Sequence, residues 1–136
     1  MEKVFVDTDI VLDLLSNREP FYKYSAYLFS EADDDEIEIY FSSLSFSNLN
    51  YILSKQFTPD QTRKKLLKFK TLVTVLAVTD KVVELALSSD FKDFEDGLQY
   101  FTAIENNIKT LLTRNLKDYK TAEIPVMTAE QFLKSR

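Results

Sequence analysis

The stretch "DFKDFED" places four carboxylates, Asp90, Asp93, Glu95 and Asp96, within seven positions. Other acids stand at equally suggestive points. Asp7 closes the apolar run "KVFV", with Asp9 two residues beyond it. Asn115 ends "LLTRN", and Asp118 follows. The chemistry open to such a set is narrow. The chain has no His and no Cys, which removes the usual zinc sites and the Ser-His-Asp and Cys-His nucleophile systems. A single glycine, Gly97, rules out a Walker loop or a G-x-G-x-x-G turn. Catalysis would have to run on carboxylates, hydroxyls, amides, Lys or Arg. Carboxylates select hard, oxygen-loving ions such as magnesium or manganese.

Two carboxylates about 4 Å apart repel by roughly 4 kcal/mol at an effective dielectric of 20. A fold keeps several together only if protonation, an Arg or Lys, or a divalent cation offsets the repulsion. A cation also lowers the pKa of a bound water and stabilises charge on a phosphoryl oxygen. Each acid has a plainer reading as well. Asp7 fits an N-cap, Asp96 a first-turn acid favoured by the helix dipole, and Asp118 a surface acid. Either Asp93 or Glu95 could do the capping. The run Asp33, Asp34, Asp35, Glu36 reads as a solvated turn.

These residues need elements to position them. "KVFV" predicts a strand over 3–6, and "TDIVLDLLS" a helix capped near Asp7 or Thr8. Pro20 opens a second helix over 21–33. "IEIYFS" predicts a strand over 37–42 and "SFSNLNYIL" a helix over 45–57. Thr58 and Pro59 start a further helix that runs to Lys70. "LVTVLAV" is a third strand, and Thr79 or Asp80 caps the helix after it. A long helix covers 94–106, "KTLLTRN" is a fourth strand ending near Arg114, and "IPVMT" is a short fifth. Thr128 caps the closing helix. Strands separated by helices imply a parallel sheet covered on both faces. The expected fold is therefore α/β, a three-layer α/β/α sandwich on a mostly parallel, roughly five-stranded sheet, with residues 1–136 as one domain. Ligands of such sheets gather beyond the carboxyl ends of the strands, where Asp7, Asn115 and Asp118 fall.

At 45% hydrophobic and 29% charged the composition is that of a globular chain, and long disorder is excluded. No apolar run approaches a membrane span, and "MEKVFVDTDIVLDLL" has no cleavage-site pattern, so a cytoplasmic protein without a signal peptide is expected. The net charge of -5 argues against broad electrostatic binding of nucleic acid. "TRKKLLKFK" spreads its charges around a helix and reads as a solvated surface. Arg114 adjoins the acids and is the better candidate for an RNA phosphate contact. The apolar first helix is core, and one side of it could serve a homodimer.

The segments "VFVDTDIVLDLLSNREPF", "SSLSFSNLNYILSK", "DFKDFEDGLQYFTAIENNIKTLLTRNLKDYK" and "IPVMTAEQFL", in that order, resemble the PIN domain family of metal-dependent ribonucleases. The resemblance is to the bacterial, VapC-like branch that includes toxins of toxin–antitoxin modules. It implies a magnesium or manganese site. Asp7 matches the acid after the first strand and Asp96 the acid that opens the late helix. Asn115 and Asp118 share the last motif. Asp9 stands where the family more often has Asn. Asn48 stands where a typical member has Glu, and with "DFED" it is similar to a subgroup in which Glu95 could supply the missing carboxylate.

The expected activity is metal-dependent hydrolysis of RNA phosphodiester bonds. Asp7, Asp96, Asp118 and Glu95 would do the catalysis, and Asp7, Asp96, Asn115 and Asp118 would hold metal. Asp9, Asn48 and Asp93 would assist. An antitoxin protein is the implied partner. The alternative is a PIN-like module that cleaves weakly or not at all and acts by binding RNA or a protein. A receiver-like phosphorelay domain also gathers acids at strand ends. It needs a Lys after a late strand, where this chain has Arg114.

Overall fold

The computed structural model describes residues 1–136. Five strands lie in the order β3-β2-β1-β4-β5, and every neighbouring pair is parallel. They are β1 (Glu2–Val6), β2 (Ile37–Ser42), β3 (Thr74–Leu76), β4 (Leu111–Leu112) and β5 (Val126–Met127). Seven helices connect and cover them: α1 (Thr8–Leu15), α2 (Tyr22–Asp33), α3 (Ser43–Leu53), α4 (Pro59–Lys70), α5 (Asp80–Leu87), α6 (Phe94–Glu105) and α7 (Ala129–Lys134). A 3-10 turn spans Leu116–Tyr119. The α/β class and the five-stranded parallel sheet are as expected.

Alternation along the strands sends side chains to two cores. Val4, Val6, Ile37, Ile39, Phe41 and Leu112 face one side and pack with apolar residues of α1, α2, α3, α4 and α7. Phe5 and Leu111 face the other, against Tyr100 and Ala103 of α6. A nest of rings seals the first core, with Phe69 edge-on to both Phe29 and Phe41. Thr58 and Thr128 each form a capping box, which fixes where α4 and α7 begin.

Several boundaries differ from expectation. α3 starts at Ser43 because the Ser42 hydroxyl accepts from Leu44 N at 3.2 Å and caps it there. Pro20 lies in the turn ahead of α2, not at its first position. β3 is only three residues long, since its sole neighbour β2 ends at Ser42, opposite Leu76. β4 stops at Leu112, short of Arg114, because β1 gives way to α1 one residue past Val6, the partner of Leu112. The 3-10 turn was not foreseen.

The strand order reverses at β1. From β1 the chain moves outward to β2 and β3, then returns to β4 on the opposite side. The gap between the carboxyl ends of β1 and β4 is thus the topological switch point, where parallel sheets open a crevice.

Candidate metal centre

A cleft of about 460 Å³ opens at that switch point. Six carboxylates line it: Asp7, Asp9, Asp93, Glu95, Asp96 and Asp118. Asn48, Gln99 and Asn115 add amides, and Leu12, Tyr51 and Ile52 form an apolar lip. No Lys or Arg lines it. Of the candidate site residues named from the sequence, only Arg114 is absent from this wall, and Asp90, the first acid of the "DFKDFED" cluster, also lies outside it.

Asp7 leaves β1 and caps α1, its Oδ1 accepting from Thr8 N at 2.6 Å. The capping and site readings of this residue are therefore compatible. Three further donors converge on the same buried carboxylate. Gln99 Nε2 donates to Oδ1 at 2.8 Å, Thr113 Oγ1 to Oδ2 at 2.9 Å, and the Tyr119 hydroxyl lies 3.2 Å from Oδ2. That hydroxyl also stands 3.5 Å from Asp96 Oδ1, so these oxygens of Asp7 and Asp96 are no farther apart than the two distances together.

The acids at the start of α6 divide their work. Asp93 is the N-cap and accepts from Asp96 N at 3.0 Å, which leaves the Asp96 side chain to face the cleft. Burial, and then the charges of Asp7, Asp93 and Asp118, push the Asp96 carboxyl up to about 7. Asp9 is likewise held well above the usual carboxylate range, first by burial and then by Asp7. Its Oδ2 accepts from Arg114 N at 3.1 Å and Asn115 Nδ2 at 3.2 Å. Its Oδ1 is buried with no partner, as is Gln99 Oε1. Asn48 Nδ2 donates to Glu95 Oε1, so these two residues meet directly across the cleft.

Arg114 departs from its expected role as a phosphate contact. Its Nε donates to the buried Asp13 Oδ2 at 2.7 Å, and its guanidinium stacks over the Phe21 ring at 4.2 Å. Both partners lie in a separate recess with α1 and α7, so the guanidinium faces away from the acids. Gln99, Thr113 and Tyr119 were not anticipated as site residues. Gln99 alone left a local trace, a polar residue three positions after Asp96 among apolar neighbours.

The donor set is entirely oxygen, it carries an excess of negative charge, and two of its buried oxygens lack a partner. These residues fit a hard divalent cation. No three acidic side chains already converge as a finished cage. The donors are gathered in one cleft, with the Tyr119 hydroxyl between two of them.

The chain matches a family model described as PIN domain over residues 3–117. It is 31% identical over 139 residues to "Ribonuclease VapC1" of Aquifex aeolicus (strain VF5), covering 96% of this chain and 93% of that protein. Its fold is similar to VapBC2 from Rickettsia felis, solved bound to a DNA fragment from their promoter. That match has a TM-score of 0.69 and 21% identity, and covers 92% of this chain and 96% of the other. It is similar also to VapC20 of Mycobacterium tuberculosis, described as a sarcin-ricin loop cleaving toxin. Here the TM-score is 0.63 and the identity 16%, over 79% of this chain and 86% of that one.

Proposed function

The chain belongs to the PIN domain family, in its VapC-like branch, and on that premise we propose that it is a metal-dependent ribonuclease. The observation that carries the reading is the cleft at the switch point, lined by six carboxylates and no cationic side chain. Magnesium or manganese is the fitting ion. Asp7 and Asp96 are its main holders, with Asp118, Asn115 and Glu95 completing the set. Held by these residues, such an ion would supply charge stabilisation at the phosphoryl oxygen and a water acidic enough to attack at neutral pH.

The chain's own residues prepare that site. Gln99, Thr113 and Tyr119 fix the orientation of Asp7 by hydrogen bonds from α6, the end of β4 and the 3-10 turn. Asp93 keeps the first turn of α6 in place, and so positions Asp96. Asp9 holds the segment after β4 through Arg114 N and Asn115 Nδ2, which sets Asn115 at the cleft wall. The Asp96 carboxyl, raised to about 7 by burial and its acidic neighbours, would have to release a proton to hold a cation.

The relative named as a ribonuclease and the fold neighbours solved as VapBC assemblies support a toxin role, with an antitoxin protein as partner. A cytoplasmic site of action and a single PIN-like domain over residues 1–136 belong to the same reading. No helix is long and apolar enough to cross a membrane.

The test is cleavage of RNA in manganese, in magnesium and in excess chelator, by the parent protein and by Asp7→Asn and Asp96→Asn. Cleavage is expected only with the ion and to fall at least about 100-fold in either variant, the rate equivalent of several kcal/mol of charge stabilisation. Full activity in chelator, or in both variants, overturns the proposal. The runner-up is a PIN-like module that binds RNA or a protein and cleaves weakly. It is favoured by Asn48, which already holds Glu95 by a hydrogen bond where a typical member has a second-motif Glu. An ion bound by the parent without RNA cleavage would select it.

A further inference from the structure

The cleft poses an electrostatic problem for the substrate proposed above. An RNA strand carries one charge per phosphate, and the cleft offers it no Lys or Arg. A bound ion can serve the phosphate being cleaved, but the neighbouring phosphates need cations of their own. The Arg114 guanidinium is engaged with Asp13 and Phe21, in a recess separate from the cleft.

A second recess, of about 300 Å³, shares two walls with the cleft, Asp93 and Asp118. It carries Lys92, Lys117 and Lys120. All three side chains are exposed, and none takes part in an ion pair. Phe91 lies in the same recess, packed edge-on against Tyr119, the residue that touches Asp7. The lysines are thus tied to the acids by a short run of rigid contacts. Taken alone the groove is near neutral, because Asp90, Asp93 and Asp118 stand among the lysines. Two of these aspartates also face the cleft, where a divalent ion offsets their charge. With an ion in the cleft the lysines would outweigh the acids of the groove.

We propose that the groove of Lys92, Lys117 and Lys120 is a binding site for the backbone phosphates of the RNA strand next to the bond that is cut. The inference rests on the ribonuclease reading in taking RNA as the ligand. It adds the path of the strand, from the acidic cleft over Asp93 and Asp118 into the lysine groove. It also makes phosphate binding and ion binding mutually reinforcing.

The probe is a fluorescein-labelled, mixed-sequence pool of single-stranded RNA. Its binding to the protein with all its acids intact is followed by anisotropy across a salt series in calcium, a divalent ion that suits a carboxylate site but acidifies its bound water too little for cleavage. Adding Lys92→Gln, Lys117→Gln and Lys120→Gln should weaken binding at least about tenfold and flatten the log–log salt dependence by about 0.7 per lost contact. Lys64→Gln, Lys65→Gln and Lys68→Gln on α4 should leave both unchanged. Circular dichroism confirms that each variant is folded. An unchanged salt slope in the groove variant, an equal loss in the α4 variant, or no binding of the pool at all overturns the groove. The parent protein is separately tested for cutting the same pool in manganese. Lysine-dependent binding without cutting leaves the groove standing and counts against the ribonuclease reading alone.

Discussion

Asp9 and Asp13 sit one turn apart on α1, and their surroundings differ in kind. Asp13 is buried against a guanidinium, with Arg114 Nε at 2.7 Å. Asp9 is met by neutral donors only, Arg114 N, Asn115 Nδ2 and the Thr113 hydroxyl at 3.3 Å, and otherwise faces other acids. Burial raises the carboxyl of both and Arg114 opposes the shift at both, through its side chain at Asp13 and chiefly its backbone N–H at Asp9, but only at Asp9 does Asp7 reinforce it. The same side chain on the same helix is thus a structural anchor in one place and part of a charge surplus in the other. What decides the role of a buried carboxylate is the sign of the charge opposite it. A compensated acid is closed to an incoming cation, and an uncompensated one invites it.

The sharpest way to break this contrast is to remove the compensation. Arg114→Ala strands Asp13 as an unpaired buried charge and should cost about 3–5 kcal/mol of stability, read from urea denaturation. Combining it with Asp13→Leu should recover much of that loss. An unmoved urea midpoint in Arg114→Ala would return Arg114 to the role of a simple surface cation.

The uncompensated side is probed through the donors around Asp7. Tyr119→Phe keeps the ring packed and deletes the hydroxyl that orients Asp7 and reaches Asp96. Loss of such an outer hydrogen bond should change manganese affinity by about 10–100-fold, measured calorimetrically. We expect weaker binding, because Asp7 loses its fixed orientation. Tighter binding would mean that the hydroxyl competes with the ion.

Acidity gives a third handle. The folded carboxyl of Asp96 is pushed up to about 7, while an unfolded Asp titrates near 3.9. Between those values the folded state holds the extra proton, so ion-free stability should fall as pH rises from about 4 to about 7. Over the same interval manganese affinity should climb, since proton and ion compete for the carboxylate. Melting curves across that range, with and without manganese, check both signs. Asp96→Asn should flatten the ion-free trend, and an identical trend in that variant would assign it elsewhere.

The smallest expected effect is at Asn48. Asn48→Glu replaces the donor to Glu95 with a like charge, at an exposed position. Without an ion the variant should be less stable by roughly 1 kcal/mol or less, and with manganese it should recover. Calorimetry should show a modest gain in affinity. No change in either would place the Asn48 side chain outside the ion's reach.

Much of this arrangement was legible in local pattern. Alternation in "IEIYFS" and the caps at Thr58, Thr79 and Thr128 gave the elements, and their parallel order gave the sheet edge where Asp7, Asn115 and Asp118 meet. The partners of Asp7 were not legible, because they come from far along the chain. Thr113 lies 106 residues away and Tyr119 112, and neither stands out within its own window. Arg114 misled for a related reason. Its neighbours in sequence are site residues, but a chain leaving a strand sends successive side chains to different sides. Strands β3 and β4 were legible but their short lengths were not, because strand length is set by the neighbouring strand, which no single segment reveals.

The lacing of the sheet is uneven across the crevice. β1 is registered with β2 from Glu2–Ile37 through Phe5–Tyr40, but with β4 only at Phe5–Leu111 and Val6–Leu112. The shorter of the two ladders that hold β1 is the one under the acids, and the bonds of Gln99, Thr113 and Tyr119 to Asp7 rivet it shut from above. The amide hydrogens of Phe5 and Asp7, which donate across this seam to Thr110 O and Leu112 O, should therefore exchange with solvent sooner than that of Val4, which the alternation of β1 turns toward β2. An ion seated on Asp7 and Asp96 would slow that exchange, and the breathing of one seam would become a gauge of occupancy that requires no substrate.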